Sequence, residues 1–426
     1  MSPSPRGGEG RGEGRAADGR AFLEATLQWA RANVPFYAKR IRKNAKLIDL
    51  PFLTKDLAIA NQRSLLAKGT KAFAGVISSG TQPRADVLRV PRTEAERLAL
   101  EDWLGEEPEE SLVLEVRAVH HGVDHLAPRR NWLRVPWSYS RNAFRLVESV
   151  LSKPQPDGRR VQRLLINAGA LMPLTAHLLE RGIDPRRFGV RGISTTGFRL
   201  SPHWRARVQE AWGAPVFDNF SLSELPSAAL ECRACGFNHW LPPPVWPEVI
   251  DPVTHRPLKR GVGVLVVTTL WPFVQAMPLL RYWTGDLVEL GPRCPETKEQ
   301  GIRFRGRERQ SLGLLVAAQD VVDALEAEPL VARHPHPVEQ LGLVRSVDCG
   351  AVKYELSRVK RDVLVRVELK FDPKAYPGDA DALGWRIAGA LLKASPALRR
   401  LERARKGELV IDVVGPGTLT TPWTKW

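Results

Sequence analysis

Two groups of residues in this chain have types and spacings that could do chemistry. The first is thiol and imidazole. "ECRACGFNHW" carries Cys232, Cys235 and His239 as C-x2-C-x3-H, and "GPRCPE" adds Cys294 further along. Two thiols on one turn, a nearby histidine and a distant third thiol have the ligand types and loop spacing of a closed Cys3His structural zinc site. Free thiols beside a surface histidine are the other reading, and Cys349 reads as a core thiol. The second group is a set of short polar stretches. "VISSGTQPRADVLRV" offers Ser78, Ser79, Gly80, Thr81 and Arg84. Small residues let backbone N–H groups approach an anion, hydroxyls donate, and a cation offsets charge, so the stretch suits phosphate; an ordinary hairpin loop suits it as well. "DNFSLSE" ends on Glu224, "YWTGDL" presents Asp286 on what reads as a tight turn, and "VHHGVDHLAP" holds His120, His121 and His125, which read as core or loop histidines.

These stretches need strand ends and caps to hold them. Helices are expected over 21–47, and Thr54 caps another after a Pro break. "AFAGVI" reads as a strand leading into the serine-rich loop, and "SLVLEVRAV", "QRLLIN" and "GVRGIST" as further strands. They alternate with the amphipathic helices "RNAFRLVESVLSK" and "GALMPLTAHLLERG", the pattern of a parallel α/β layer. "SPHWRARVQEAWG" reads as a helix with a Ser cap and Pro at its first position. From about 245, "VWPEVID", "GVGVLVVTTL" and "LLRYWTGDLVEL" indicate a β-rich subdomain that ends at "GIRFRGRERQ". Beyond it helix and strand alternate again as a smaller α+β unit. The fold class is therefore α/β: a large N-terminal part of α/β layers with a β-rich subdomain, followed by a small α+β C-terminal domain. In α/β sheets ligands bind beyond the carboxyl ends of the strands, which is where the polar stretches fall.

In this order the stretches resemble those of the adenylate-forming enzymes, in particular the phenylacetate–CoA ligase-like branch. The resemblance runs from "VPFY" (34–37) and "LPFLTK" (50–55) to the C-terminus. It implies that Ser78, Ser79, Gly80, Thr81 and Arg84 hold the β- and γ-phosphates of ATP. It places Phe220 against the adenine and acyl pocket, with Ser223 beside Glu224, whose carboxylate holds Mg²⁺. Thr284 and Asp286 would face the ribose, which Asp286 binds through both hydroxyls, and Arg307 approaches ribose or phosphate. Lys425, counted from "GPGTL", would meet the substrate carboxylate and α-phosphate, where a cation relieves the repulsion of two anions. The small domain would be mobile, hinged at 306–307. The organisation implied is a disordered tail over 1–20, a large adenylation domain over 21–306 with its β-rich subdomain at about 245–306, and a small domain over 307–426. Departures from the family pattern stand at Gln82, Pro83, Ser221 and Arg309.

The implied activity is ATP-dependent ligation. A carboxylate attacks the α-phosphorus of Mg·ATP, giving an acyl-adenylate and pyrophosphate; coenzyme A then takes the acyl group. An aryl or arylalkyl acid is expected. Two rivals stay open: transfer to an amine or carrier protein, and a degenerate homologue that only binds a nucleotide or partner. The chain has 426 residues, 43% hydrophobic and 26% charged, enough for a substantial core. The net charge of +16 is spread thinly as arginine, with no nucleic-acid-binding motif, so no specific nucleic-acid partner is expected. No apolar run reaches a bilayer span and no secretory signal opens the chain, so a cytoplasmic enzyme without membrane contact is expected, with homodimerisation open.

Overall fold

The computed structural model describes residues 13–78, 87–104, 111–118, 131–240, 244–345, 349–405 and 407–420. The N-terminal region is helical: α1 (Glu13–Asn33), α2 (Pro35–Ala38), α3 (Lys55–Ala60) and α4 (Gln62–Leu65). α1 begins inside the stretch read above as a disordered tail. Its first turns hold the good helix formers Ala16 and Ala17, and Gly19 is buried beside Trp246. Thr54 caps α3 by accepting from Leu57 N–H, as its position before the helix implies.

β1 (Ala72–Ile77) and β2 (Arg89–Thr93) form an antiparallel pair, followed by α5 (Glu94–Leu104). The central layer is β3 (Leu112–Ala118), β4 (Trp132–Trp137), α6 (Arg141–Ser152), β5 (Val161–Asn167), α7 (Ala168–Glu180), β6 (Gly192–Thr196), α8 (Pro202–Trp212) and β7 (Val216–Asp218). Its strands pair in parallel in the order β4-β3-β5-β6-β7. The helices form where the sequence supplies caps: Ser140 for α6, Asn167 for α7, and Ser201 with Pro202 for α8. α6 buries Ala143, Phe144, Val147 and Leu151, one stripe of its surface, against the sheet.

The β-rich part comprises β8 (Leu230–Glu231), β9 (Asn238–His239), β10 (Val245–Ile250), β11 (Gly261–Thr269), β12 (Tyr282–Arg293) and β13 (Gln300–Arg307), in the order β10-β11-β12-β13-β9-β8. After it come α9 (Ala318–Glu326), α10 (Pro337–Gln340), β14 (Tyr354–Val359), β15 (Asp362–Glu368), α11 (Pro377–Ala394), α12 (Pro396–Arg403) and β16 (Leu409–Val414). The sheet β14-β15-β16 has its own apolar core, shared with α9 and α11. No helix among the described residues is long and apolar enough to cross a membrane.

Candidate active site

The site is built where the parallel sheet, the β-rich part and the N-terminal helices meet. β6 and β7 end at a cleft of about 270 Å³, lined among others by Phe198, Arg199, Asp218, Phe220, Asp286 and Arg307. Phe220 lies just past β7; its backbone pairs with Ala229 in both directions and closes the loop that carries Ser223 and Glu224. Its ring stands perpendicular to Trp240, with centroids 6.1 Å apart, and near Phe304.

Asp286 reaches the cleft through an irregularity in β12. Val264 and Val266 of β11 pair with Leu287 and Trp283, so Leu265 alone faces Thr284, Gly285 and Asp286. The tight turn expected from "TGD" is thus a bulge within a continuous strand, and a bulge re-aims a side chain while keeping the strand. Gly285 takes φ +72, a conformation that costs any residue with a Cβ. The Thr284 hydroxyl donates to the Leu265 carbonyl and accepts from Asp286 N–H, fixing the bulge. Asp286 is fully buried, and across the ladder Arg307 lies opposite, Nε 2.9 Å from Oδ1. Burial pushes the Asp286 carboxyl up to about 6; Arg307 pulls it down, but less than burial raises it. Asp218, at the end of β7, is likewise pushed up by burial, to about 7.

Glu224 is buried beside Asp286. It accepts from the Tyr282 hydroxyl at 3.1 Å, and Lys55 Nζ lies 3.5 Å from the same oxygen. Burial, with Glu224 second, raises the Tyr282 phenol well above its ordinary range, so it stays a donor. Lys55 is delivered by the segment before α3, which is bound to β12: Leu53 N–H donates to Arg281, and Trp283 N–H donates to Leu53. Arg92, on the inward face of β2, donates from Nη2 to the Glu224 carbonyl at 3.1 Å. Lys55, Tyr282 and Arg92 were not singled out from the sequence. Lys55 and Tyr282 lie within the quoted "LPFLTK" and "RYWTGDL"; Arg92 gave no signal beyond a charge at an inward strand position.

Of the phosphate-loop residues, Ser78 is described: it is buried, donates its N–H to the Leu88 carbonyl, and accepts from Leu88 N–H. Ser79, Gly80, Thr81, Arg84, Lys425, His120, His121 and His125 lie outside the described residues.

Cys232, Cys235, His239 and Cys294 come together, with one ligand atom of each within 4.8 Å of the others. Cys232 Sγ is 3.6 Å from Cys294 Sγ, and Cys235 Sγ is 3.2 Å from His239 Nε2. The edges of a tetrahedron around zinc with sulfur and nitrogen ligands are roughly 3.5–3.8 Å, so the set fits that ion. Thr297 Oγ1 lies 3.4 Å from His239 Nδ1, in position to orient the ring. Cys349 is buried in the α/β core, as a core thiol should be.

Known proteins resemble this chain in part of its sequence and in its fold. A stretch of 122 residues is 38% identical to the phenylacetate–coenzyme A ligase of Thermus thermophilus, covering 28% of this chain and 27% of that one. Another alignment, of 162 residues, is 31% identical to the phenylacetate–coenzyme A ligase of Escherichia coli and covers 36% of each. These matches span about a third of the curated relatives' length or less. A crystal structure of 2-hydroxyisobutyryl-CoA ligase in an open conformation superimposes over 98% of this chain and 94% of that one, with a TM-score of 0.65 and 15% identity. The chain has the fold of the acyl-CoA ligases. A benzoate CoA ligase from Burkholderia xenovorans shares it over 84% of this chain and 68% of its own, with a TM-score of 0.50 and 14% identity. No protein-family model matches the chain. Of the described residues that the sequence pointed to, Phe220, Asp286 and Arg307 line one cleft, and Glu224 acts on the Asp286 charge from beside it.

Proposed function

We propose that this protein activates a carboxylic acid with ATP, forming an acyl-adenylate and pyrophosphate, and passes the acyl group to coenzyme A. The observation that carries this reading is the placing of Phe220, Asp286 and Arg307 on one cleft beyond the ends of a parallel sheet, with Glu224, held by Tyr282, close enough to act on the Asp286 charge. As a carboxylate, Asp286 would accept from both ribose hydroxyls, with Arg307 holding it ionised. Phe220 offers an aromatic face for the base. Mg²⁺, which the fold implies, supplies charge neutralisation on the phosphates. Glu224 is the described group suited to hold it, as a hard oxygen ligand whose carboxylate is oriented by Tyr282 and faced by Lys55. Ser79, Gly80, Thr81, Arg84 and Lys425 would bind the phosphates and the reacting carboxylate.

The similarity to phenylacetate–coenzyme A ligases supports an aryl or arylalkyl acid. We assign structural zinc to Cys232, Cys235, His239 and Cys294, joining the segment that follows Glu224 to the one that follows Asp286. Free thiols, with no disulfide among them, suit a reducing cytoplasm. Exchange of labelled pyrophosphate into ATP across a panel of aryl and arylalkyl acids tests the activity. Acid-dependent exchange is expected. Silence across the panel would leave a catalytically degenerate homologue, and the absence of ATP binding as well would narrow it to one that binds a partner.

A further inference from the structure

We propose that residues 334–345 are a strap that latches the C-terminal α+β unit onto the large α/β layer, and that this unit changes position only when the strap lets go. The chain leaves the small sheet and returns to it at neighbouring points. Ala332 N–H donates to Glu368, Lys353 N–H to Ala332, and His334 N–H to Ala351. Between those points the described residues contribute nothing to the small unit's apolar core, which holds Val331 and Val352 on either side. Instead Val338, Leu343 and Val344 lie in the core of the large layer, 0%, 8% and 1% exposed.

Polar contacts fix this docking. His177 of α7 and the Leu343 carbonyl meet at Nδ1, 3.2 Å, and Arg345 N–H donates to both oxygens of Glu180 at the end of the same helix. The His336 ring stands edge-on to Tyr139, just past β4. The strap also closes on itself. His336 caps α10 through Val338 N–H, Leu343 N–H donates to Val338, and Glu339 accepts from Cys349 N–H at 2.7 Å. A segment folded by its own bonds can undock without unravelling.

The same interface continues along α9. Arg199 Nη1 lies 2.9 Å from Asp323, Arg305 pairs with Asp320, and Glu326 accepts from the Ser201 hydroxyl. Arg199 also lines the cleft, so the latched arrangement and the cleft share a residue. The Arg199–Asp323 pair is partly exposed and weak, and the buried Asp320 adds one further pair, whereas the strap would have to withdraw three apolar side chains from a close-packed core, which is costly. The strap is therefore the dominant hold on the unit.

Hydrogen–deuterium exchange on the full-length protein, with small-angle scattering alongside, tests this without any assumption about the reaction. In the wild type, amides of 338–345 and of α7 should be protected. In Val338→Ala/Leu343→Ala, protection of the strap should fall by roughly 30-fold or more, as expected for losing about 2 kcal/mol of buried contact. β15 should stay protected while the radius of gyration rises. Glu180→Gln, which leaves the core intact, should give a smaller change in the same direction at Arg345. Unprotected strap amides in the wild type would overturn the proposal. So would loss of β15 protection together with the strap, because the segment would then be part of the small unit's own fold. A freed strap with an unchanged radius of gyration would assign the hold to the ion pairs instead.

Discussion

Asp286 is a buried acid with a defined cost. Its carboxyl titrates at about 6, above its ordinary range, because burial disfavours the charge. The sign works in two directions. As pH rises through the unfolded value toward 6, the folded state holds the proton more tightly than the unfolded chain, so this group's contribution to stability falls. As pH drops below about 6 the carboxyl becomes neutral and loses acceptor capacity, so nucleotide affinity should weaken. The apparent KM for ATP is expected to climb below pH 6 in the wild type and to lose that limb in Asp286→Asn. That variant should also lose about 10- to 100-fold in kcat/KM for ATP, the worth of hydrogen bonds to a charged group. A pH profile shared by wild type and variant would detach Asp286 from the nucleotide. Tyr282→Phe removes the donor to Glu224. It should shift the Mg²⁺ dependence to higher concentration while costing about 1 kcal/mol of stability, read from metal titrations and melting. Phe220, Glu224, Asp286 and Arg307 were legible because each sits in a short stretch with recognisable neighbours. Arg92 was not legible, because either arginine of "RVPRT" looks like a surface charge until β1 pairing turns Arg92 inward and leaves Arg89 exposed.

At the scale of the element, the bulge in β12 and the cysteine cluster set the geometry of the site. The expectation of a tight turn at "TGD" identified the glycine's conformation but not its setting, because a bulge depends on the partner strand, here Leu265. Gly285→Ala should destabilise by roughly 1–2 kcal/mol through its positive φ and weaken ATP use more than a distant loop glycine would. The cluster was legible as C-x2-C-x3-H with Cys294 as its distant third thiol, and the fold brings Cys294 to the other three between the end of β12 and the start of β13. Stoichiometric zinc is expected by elemental analysis. A strong chelator or Cys294→Ser should lower the melting temperature, and a metal-free protein whose melting is indifferent to chelators would remove the ion. Strands β3, β5 and β6 and helices α6 to α8 were legible from period, and α8 also from its Ser201 cap, whereas the edge strand β4 and the Ser140 cap of α6 were not read from the sequence.

At the scale of the whole molecule, the chain builds several apolar cores: one in the α/β layer, one beneath the β-rich part, and one in the C-terminal sheet. The β-rich stretch from about 245 and the alternation of helix and strand beyond it were readable from the pattern of apolar runs. The docking of 334–345 into the first core was not, because "RHPHPVEQLGLV" carries no periodicity and its partners on α7 lie far away in sequence. The spread-out positive charge is partly consumed internally, with Arg199, Arg205, Arg281, Arg305 and Arg307 all paired to acids. The central claim is that a carboxylate attacks the α-phosphorus of ATP in this cleft. It is tested most directly by running the reaction with phenylacetate carrying ¹⁸O in its carboxylate, together with ATP and coenzyme A, and weighing the products. Attack at the α-phosphorus followed by thiol capture leaves one carboxylate oxygen on AMP, so singly labelled AMP beside unlabelled pyrophosphate is predicted. Thioester formation with the label in orthophosphate, or with AMP unlabelled, would contradict it.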